Sequence, residues 1–322
     1  MPLPTVVFLD RATVPKQITI APLPFEHHWL EYEETSPDDV VERLKHADIV
    51  LVNKVVLDAK RLSKLPNLRL IAVAATGYNN VDVDYCRDAN IAVTNVQGYA
   101  TQSVPEHVIA MLFALRRNLV GYHQDIQQGE WQRKKQFCFF THPIGDVAGS
   151  TLGVIGSGAL GQATAALAKA IGMKVVFSER KGLSSKDCRE GYLPFDEVLQ
   201  QADVMTLHCP LTTQTHHLIS TAEFEKMKPT AILINTGRGG LVDEQALVDA
   251  LQSGMIAGAG VDVFTQEPAD EHNPLLANAS MPNLILTPHV AWGSDSSIQK
   301  LANILMDNVV AFHEGRTQNR VV

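Results

Sequence analysis

The chain has 322 residues, of which 45% are hydrophobic and 19% charged, and its formal net charge is -8. That length predicts two domains, and that apolar fraction excludes a disordered chain. An acidic chain without clustered Lys and Arg lacks the basic stripe that nucleic acid requires, although one local Arg can still hold a small anionic substrate.

The predicted elements alternate. Val6–Leu9, Ile49–Val52, Leu70–Ala74 and Ile91–Val93 read as short buried strands. A helix is predicted from Ser36, an N-cap residue followed by Pro37 and two acids, with Val40, Val41, Leu44 and Ala47 at helical spacing. Strands separated by helices predict a parallel sheet with βαβ crossovers. Thr101–Asn118 reads as a strong helix, with Val104, Val108, Met111, Leu112 and Leu115 on one side. Trp131–Gly149 reads as an irregular loop. A second run follows, with strands predicted at Leu152–Ile155, Lys174–Ser178, Asp203–His208, Ala231–Asn235, Ala259–Val263 and Leu284–Thr287. Leu160–Ile171 reads as a helix, and Asp295–Gly315 as a final long one. No stretch reaches the roughly 18 clean apolar residues of a membrane span. MPLPTVVFLDR has no basic segment and is broken by Asp10, so it does not read as a signal peptide. Cys86, Cys138, Cys188 and Cys209 stand too far apart for a zinc knuckle or redox motif. They read as reduced thiols of a cytoplasmic protein.

Gly156-Ser157-Gly158-Ala159-Leu160-Gly161 is G-x-G-x-x-G between a predicted strand and a predicted helix, the context that gives this motif meaning. The first Gly permits the tight turn, the second lets a pyrophosphate approach the backbone, and the third lets helix pack on strand. The helix N-terminus adds free N–H groups and positive potential. Glu179 ends the next strand, at about the 20-residue spacing where an acid hydrogen-bonds ribose hydroxyls and repels a 2′-phosphate. That favours NAD(H). Arg180 and Lys181 follow at once; they are either a solvated loop or a pair that could hold the phosphate, so NADP(H) is admitted as well.

The strand Ala231–Asn235 runs into Thr236-Gly237-Arg238-Gly239-Gly240. Ligands of open α/β sheets sit beyond the carboxyl ends of the strands, and a guanidinium there can grip a carboxylate with two parallel bonds. Glu267 follows the strand that ends in Gly260-Val261-Asp262-Val263-Phe264, and His289 ends the last strand. Arg238, Glu267 and His289 thus share one rim. A His held by a carboxylate is a general acid/base pair. His208, at another strand end, reads as structural or as lining the nicotinamide side. His27-His28 and His216-His217 lack the i, i+4 spacing of a helical metal site, and no metal is expected.

With these motifs the chain resembles the D-isomer-specific 2-hydroxyacid dehydrogenases over nearly its full length. The matching segments are AATGYNNVD (74–82), SVPEHVIAMLFALRRN (103–118), GSGALGQ (156–162), LHCPLTTQT (207–215), INTGRGGLVDEQAL (234–247), GVDVFTQEP (260–268) and TPHVAWGS (287–294). The resemblance implies two doubly wound parallel-sheet α/β domains, a Rossmann cofactor domain (100–289) inserted into a flavodoxin-like substrate domain (1–99 plus 290–322). It implies that Arg238, Glu267 and His289 are catalytic and that Asp262 receives the nicotinamide carboxamide. Cys209, Pro210, Thr215, Thr236 and Gly237 would line the cofactor; Thr76, Gly77, Tyr78 and Trp292 would meet the substrate. Pro288, where formate dehydrogenases carry Gln, and the short C-terminus narrow the subgroup. SERKG with CREGYLPFDEVL is most like bacterial glycerate dehydrogenases, also called hydroxypyruvate reductases. The implied activity is reversible reduction of hydroxypyruvate or glyoxylate in a homodimer, with a domain cleft closing over the substrate. D-lactate and phosphoglycerate types, an NAD-sensing corepressor-like binding protein and a metal-dependent hydrolase stand as alternatives.

Overall fold

Short apolar strands joined by long crossovers can pair only in parallel, because a parallel neighbour cannot be reached by a tight turn. The computed structural model, which describes residues 3–322, has two sheets, and every strand pair in them is parallel. The chain divides into two compact units, residues 3–100 with 293–322, and Thr101–Trp292.

The first unit holds β1 (Thr5–Phe8), β2 (His28–Glu31), α1 (Val40–Leu44), β3 (Ile49–Val52), α2 (Ala59–Leu62), β4 (Leu70–Val73), α3 (Val83–Asp88) and β5 (Ala92–Thr94). Its sheet runs β2-β1-β3-β4-β5. β3 and β4 are buried at every position, as expected of strands covered on both faces. β2 was not foreseen. Its sequence, HWLE, is largely exposed at the sheet edge and carries no apolar run. The helix predicted from Ser36 begins later, because Ser36-Pro37-Asp38-Asp39 first closes a turn, with Asp39 N donating to Ser36 O at 3.1 Å.

The second unit opens with α4 (Ser103–Arg116), α5 (Leu119–Gln127) and α6 (Glu130–Lys134). The short α6 corrects the irregular reading of Trp131–Gly149. It buries no residue and is bracketed by Gly129 and Lys135 at positive φ, so no apolar period marks it. Then come β6 (Thr151–Ile155), α7 (Ala159–Ala170), β7 (Lys174–Ser178), β8 (Tyr192–Leu193), α8 (Phe195–Gln201), β9 (Val204–Leu207), α9 (Thr221–Phe224), β10 (Ile232–Asn235), α10 (Glu244–Ser253), β11 (Gly258–Val261), α11 (Pro274–Ala277) and β12 (Leu284–Leu286). The order is β12-β11-β10-β9-β6-β7-β8. The seventh strand, β8, is only two residues long, too short for any sequence period. The order reverses between β6 and β9, the switch point where such sheets bind ligands.

The last helix, α12 (Asp295–His313), belongs to the first unit. Ser294 Oγ accepts the Ser297 N–H at its start, and Ile298, Leu301, Ala302, Leu305 and Val309 are buried along one stripe. Among the described residues no helix is long and apolar enough to cross a membrane.

Asp10, just past β1, is buried. Its carboxylate accepts the N–H groups of Asn53 at 2.9 Å, Lys54 at 2.6 Å and Val55 at 3.2 Å, which fixes the turn after β3. Removing it takes this acceptor from three backbone donors; the loss costs about 1–3 kcal/mol at the buried Asn53 N–H and less at the two part-buried ones. Asp10→Ala is therefore expected to lower the unfolding free energy by about 2–5 kcal/mol, read by chemical denaturation; a change under about 0.5 kcal/mol would show that water replaces the carboxylate.

Candidate active site

The turn from β6 into α7 passes so close to the neighbouring backbone that only glycine fits. Gly156 has φ +96°, and a Cβ there would lie 2.5 Å from Cys209 N; at Gly161 it would lie 2.0 Å from Gly156 O. At Gly158 a Cβ would meet nothing within 4 Å, so the backbone faces open space. Gly158 is the N-cap of α7, with no side chain to occupy the first N–H groups. Ala159 and Leu160 open the helix behind it. That cradle suits a phosphate, which free N–H groups and the helix dipole both favour. Thr236 Oγ1, buried past β10 without a hydrogen-bond partner, is a second group that a bound dinucleotide would satisfy. Both observations fit a dinucleotide.

Cys209 and Pro210 follow β9 beside Gly156. Burial pushes the Cys209 thiol up to about 11, so it stays neutral. Thr215 Oγ1 donates to Pro210 O at 2.7 Å and accepts Thr212 N at 2.7 Å, closing the loop. Past β7, the carboxylate of Glu179 is gripped by Arg189, with Nε to Oε2 at 2.7 Å and Nη2 to Oε1 at 3.1 Å. Those charge-assisted bonds hold its carboxyl down to about 2. Arg180 is exposed, and Lys181 pairs with Glu223 at 2.8 Å.

The chemistry-bearing groups gather at the ends of β10, β11 and β12. Gly237 N donates to Asn235 Oδ1 at 3.0 Å and Asn235 Nδ2 to Arg238 O at 2.9 Å, so one amide sets the turn that presents Arg238. The half-buried guanidinium gives one N–H to Gly237 O at 2.7 Å. His289 Nδ1 lies 2.7 Å from Glu267 Oε2, and Glu267 Oε1 accepts Phe264 N at 3.0 Å. With Nδ1–H given to the carboxylate, Nε2 is the ring's free nitrogen. His289 has φ +55°, a region costly for a non-glycine residue and typical of functional turns.

What forces that turn is Asp262. This residue, which the resemblance assigns to the nicotinamide carboxamide, has a side chain that is 0% exposed and turned into the loop. Its oxygens accept Val290 N and Ala291 N, both at 2.9 Å, and the Thr287 hydroxyl. His107 of α4 reaches the same hydroxyl at 3.1 Å. Trp292 Nε1 donates to His289 O at 2.8 Å, so its indole braces the turn from the other side. Thr76, Gly77 and Tyr78 form the loop after β4 in the first unit. There Thr76 Oγ1 donates to Val96 O at 2.7 Å, and the Tyr78 ring is exposed.

The family model described as D-isomer specific 2-hydroxyacid dehydrogenase, NAD binding domain, matches residues 109–291. The chain belongs to the D-isomer-specific 2-hydroxyacid dehydrogenase family. It is an oxidoreductase, and its second unit carries the family's NAD-binding domain. A glycerate dehydrogenase of Methylorubrum extorquens is 49% identical over 98% of this chain and 98% of its own. A hydroxypyruvate reductase of Blautia hydrogenotrophica is 38% identical over 89% of this chain and 88% of its own. Among solved structures, an NADPH-dependent glyoxylate/hydroxypyruvate reductase of Sinorhizobium meliloti has a TM-score of 0.81 at 27% identity, covering 99% of this chain and 98% of that one.

In this dehydrogenase, sequence reasoning missed Arg189, Thr287 and His107. Thr287 opens a quoted motif and could have been weighed as a hydroxyl two residues from His289. Arg189 and His107 also lie in quoted segments, CREGYLPFDEVL and SVPEHVIAMLFALRRN, but their partners Glu179 and Thr287 are brought to them only by tertiary folding. Among the described residues no group of three His, Cys, Asp or Glu is placed to hold a metal.

His208, packed at the end of β9 with Nε2 3.1 Å from Thr206 Oγ1, is lowered from 6.5 to about 4 by burial. The unfolded chain therefore takes a proton at this site below pH 6.5 that the folded chain refuses until about pH 4. The stability this site contributes is full above pH 6.5 and is lost as pH falls toward 4. Denaturation of the parent should thus become easier over that interval by more than that of His208→Asn; equal slopes would mean the ring is solvated.

Proposed function

We propose that the enzyme reduces hydroxypyruvate or glyoxylate to the D-2-hydroxy acid with NADH or NADPH, and oxidises D-glycerate in reverse. The observation that carries this reading is the 2.7 Å contact of His289 with Glu267, beside Arg238 and the glycine cradle on the rim of one sheet. The glycerate dehydrogenase and hydroxypyruvate reductase relatives support the substrate class.

When bound, the nicotinamide supplies or accepts the hydride. The rest falls to the protein. Arg238, with N–H groups left after its bond to Gly237, holds the substrate carboxylate and polarises the 2-oxo oxygen. N–H groups of the Thr76-Gly77-Tyr78 loop and the Trp292 side chain complete the substrate contacts. His289 carries a proton at Nε2 and gives it to the 2-oxygen during reduction; it takes that proton back during oxidation. Glu267 keeps the ring in one orientation and offsets the imidazolium charge. Gly156, Gly158, Ala159, Leu160, Gly161, Cys209, Pro210, Thr215, Thr236 and Gly237 line the dinucleotide.

The finer assembly reading is a cytoplasmic homodimer. Four free cysteines support the compartment. Phe137 at 94% exposure, Phe140 at 79% and Trp131 at 47% support a partner surface on and after α6, since isolated soluble proteins rarely leave such side chains together in water.

The test is a panel of 2-oxo acids assayed with both cofactors. Hydroxypyruvate and glyoxylate should exceed phenylpyruvate in kcat/KM by roughly tenfold or more, the size of a pocket-fit effect. A preference for the bulky acid would overturn the substrate class. Binding of NADH without turnover of any 2-oxo acid would favour a dinucleotide-sensing protein instead. His289→Ala should lower kcat about 10²–10⁴-fold while NADH still binds, measured by steady-state kinetics and fluorescence titration. Arg238→Lys should act mainly on productive substrate binding, because an ammonium cannot reproduce the two-pronged grip.

A further inference from the structure

We propose that Arg189 is the residue that sets cofactor choice in this chain: seated on Glu179, it cancels the exclusion of a 2′-phosphate and supplies the fork that binds it. The proposal deepens the dinucleotide part of the function above. It assigns to Arg189 the tolerance that the sequence alone suggests for Arg180 and Lys181.

The argument begins with a count of acceptors. An ionised carboxylate offers about four lone-pair positions. Glu179, 4% exposed, has all of them in use. Oε1 accepts Arg180 N at 3.0 Å and Arg189 Nη2 at 3.1 Å; Oε2 accepts Arg189 Nε at 2.7 Å and Arg189 N at 3.4 Å. A ribose hydroxyl that came to donate here would find no vacant site unless Arg189 left. The negative charge that would repel a phosphate is also neutralised in place.

The second strand of the argument concerns what the site presents instead. The Arg189 side chain is 58% exposed, and its guanidinium lies 3.8 Å above the Tyr192 ring. The ring supports the plane of the fork while one edge is spent on Glu179. A guanidinium has five N–H donors, so its outer edge remains for an anion, and paired N–H groups suit phosphate. The anchor is set by the fold: β8 pairs Leu193 with Ser178, and Glu179 N donates to Leu193 O at 2.8 Å. That pairing brings Arg189 beside the end of β7, next to β6 and its glycine turn. Lys181 cannot take the role where it stands, because it is bound to Glu223.

The experiment is fluorescence titration of the full chain with NADH and with NADPH, without any 2-oxo acid, so its outcome does not depend on turnover. The parent should bind the two with dissociation constants within about tenfold of each other. Arg189→Ala should weaken NADPH on the order of 10- to 100-fold, the size of a lost charge-assisted hydrogen bond, while NADH binds unchanged or tighter because Glu179 regains free acceptors. Arg189→Gln keeps a flat polar group but removes the charge and the fork, and should show the same selective loss. Equal weakening of both dinucleotides in either variant would mean a structural role and overturn the proposal. So would a parent that does not bind NADPH, or a selective loss that appears only in Arg180→Ala. A parent that binds both dinucleotides yet reduces no 2-oxo acid would overturn the proposed reaction and leave this inference standing.

Discussion

All strands of a parallel sheet point their carboxyl ends to one rim, and every residue just past a strand is delivered there whatever its distance in sequence. The rest of this site depends on that constraint. Arg238 follows β10, Asp262 and Glu267 follow β11, and His289 follows β12, yet 51 positions of numbering collapse onto the ends of three adjacent strands. The cradle for the dinucleotide sits at the end of β6, across the point where strand order reverses. No side chain has to reach far. The hydrogen-bonded ladder does the positioning, and the loops need only hold their last few residues still.

How the loops are held is the same in three places. Asp10 past β1, Glu179 past β7 and Asp262 past β11 are all buried acids whose oxygens accept backbone N–H groups of a following or neighbouring segment. A buried charge is tolerated only when its acceptor positions are filled. Once they are filled, the loop cannot move without exposing the charge to an empty pocket. Asp262 does this for the turn that carries His289, which is why a non-glycine residue can be kept at φ +55°. The Thr287 hydroxyl, which His107 also reaches, joins the same cluster.

The fold is legible in the sequence where burial is two-sided. Runs such as Ile49-Val50-Leu51-Val52 announce a central parallel strand because both faces must be apolar. β2 and β8 lie at sheet edges, where HWLE and a two-residue pair carry no period to read. The glycine turn is legible because close backbone approach admits one residue type. Arg238, Glu267 and His289 stand out because strand ends are predictable and chemistry needs those side chains. What the sequence hides is pairing. That Glu179 faces Arg189 depends on β8 folding back on β7, and that Asp262 turns inward depends on the N–H groups of Val290 and Ala291. Neither is a property of a local motif.

The degree of burial separates the acids by task. Asp262 is fully enclosed and Glu267 is 34% exposed, with the His289 side chain at 25%. An acid that holds a loop gains from enclosure, since its hydrogen bonds strengthen in low dielectric. In the proposed reaction Glu267 is paired with the group that transfers the proton, and a charge formed in a dry interior is costly. The bond to Glu267 keeps the His289 ring in one orientation while both side chains stay partly open to solvent. The rigid acid behind the turn and the accessible acid beside the ring thus divide two demands that one carboxylate could not meet together.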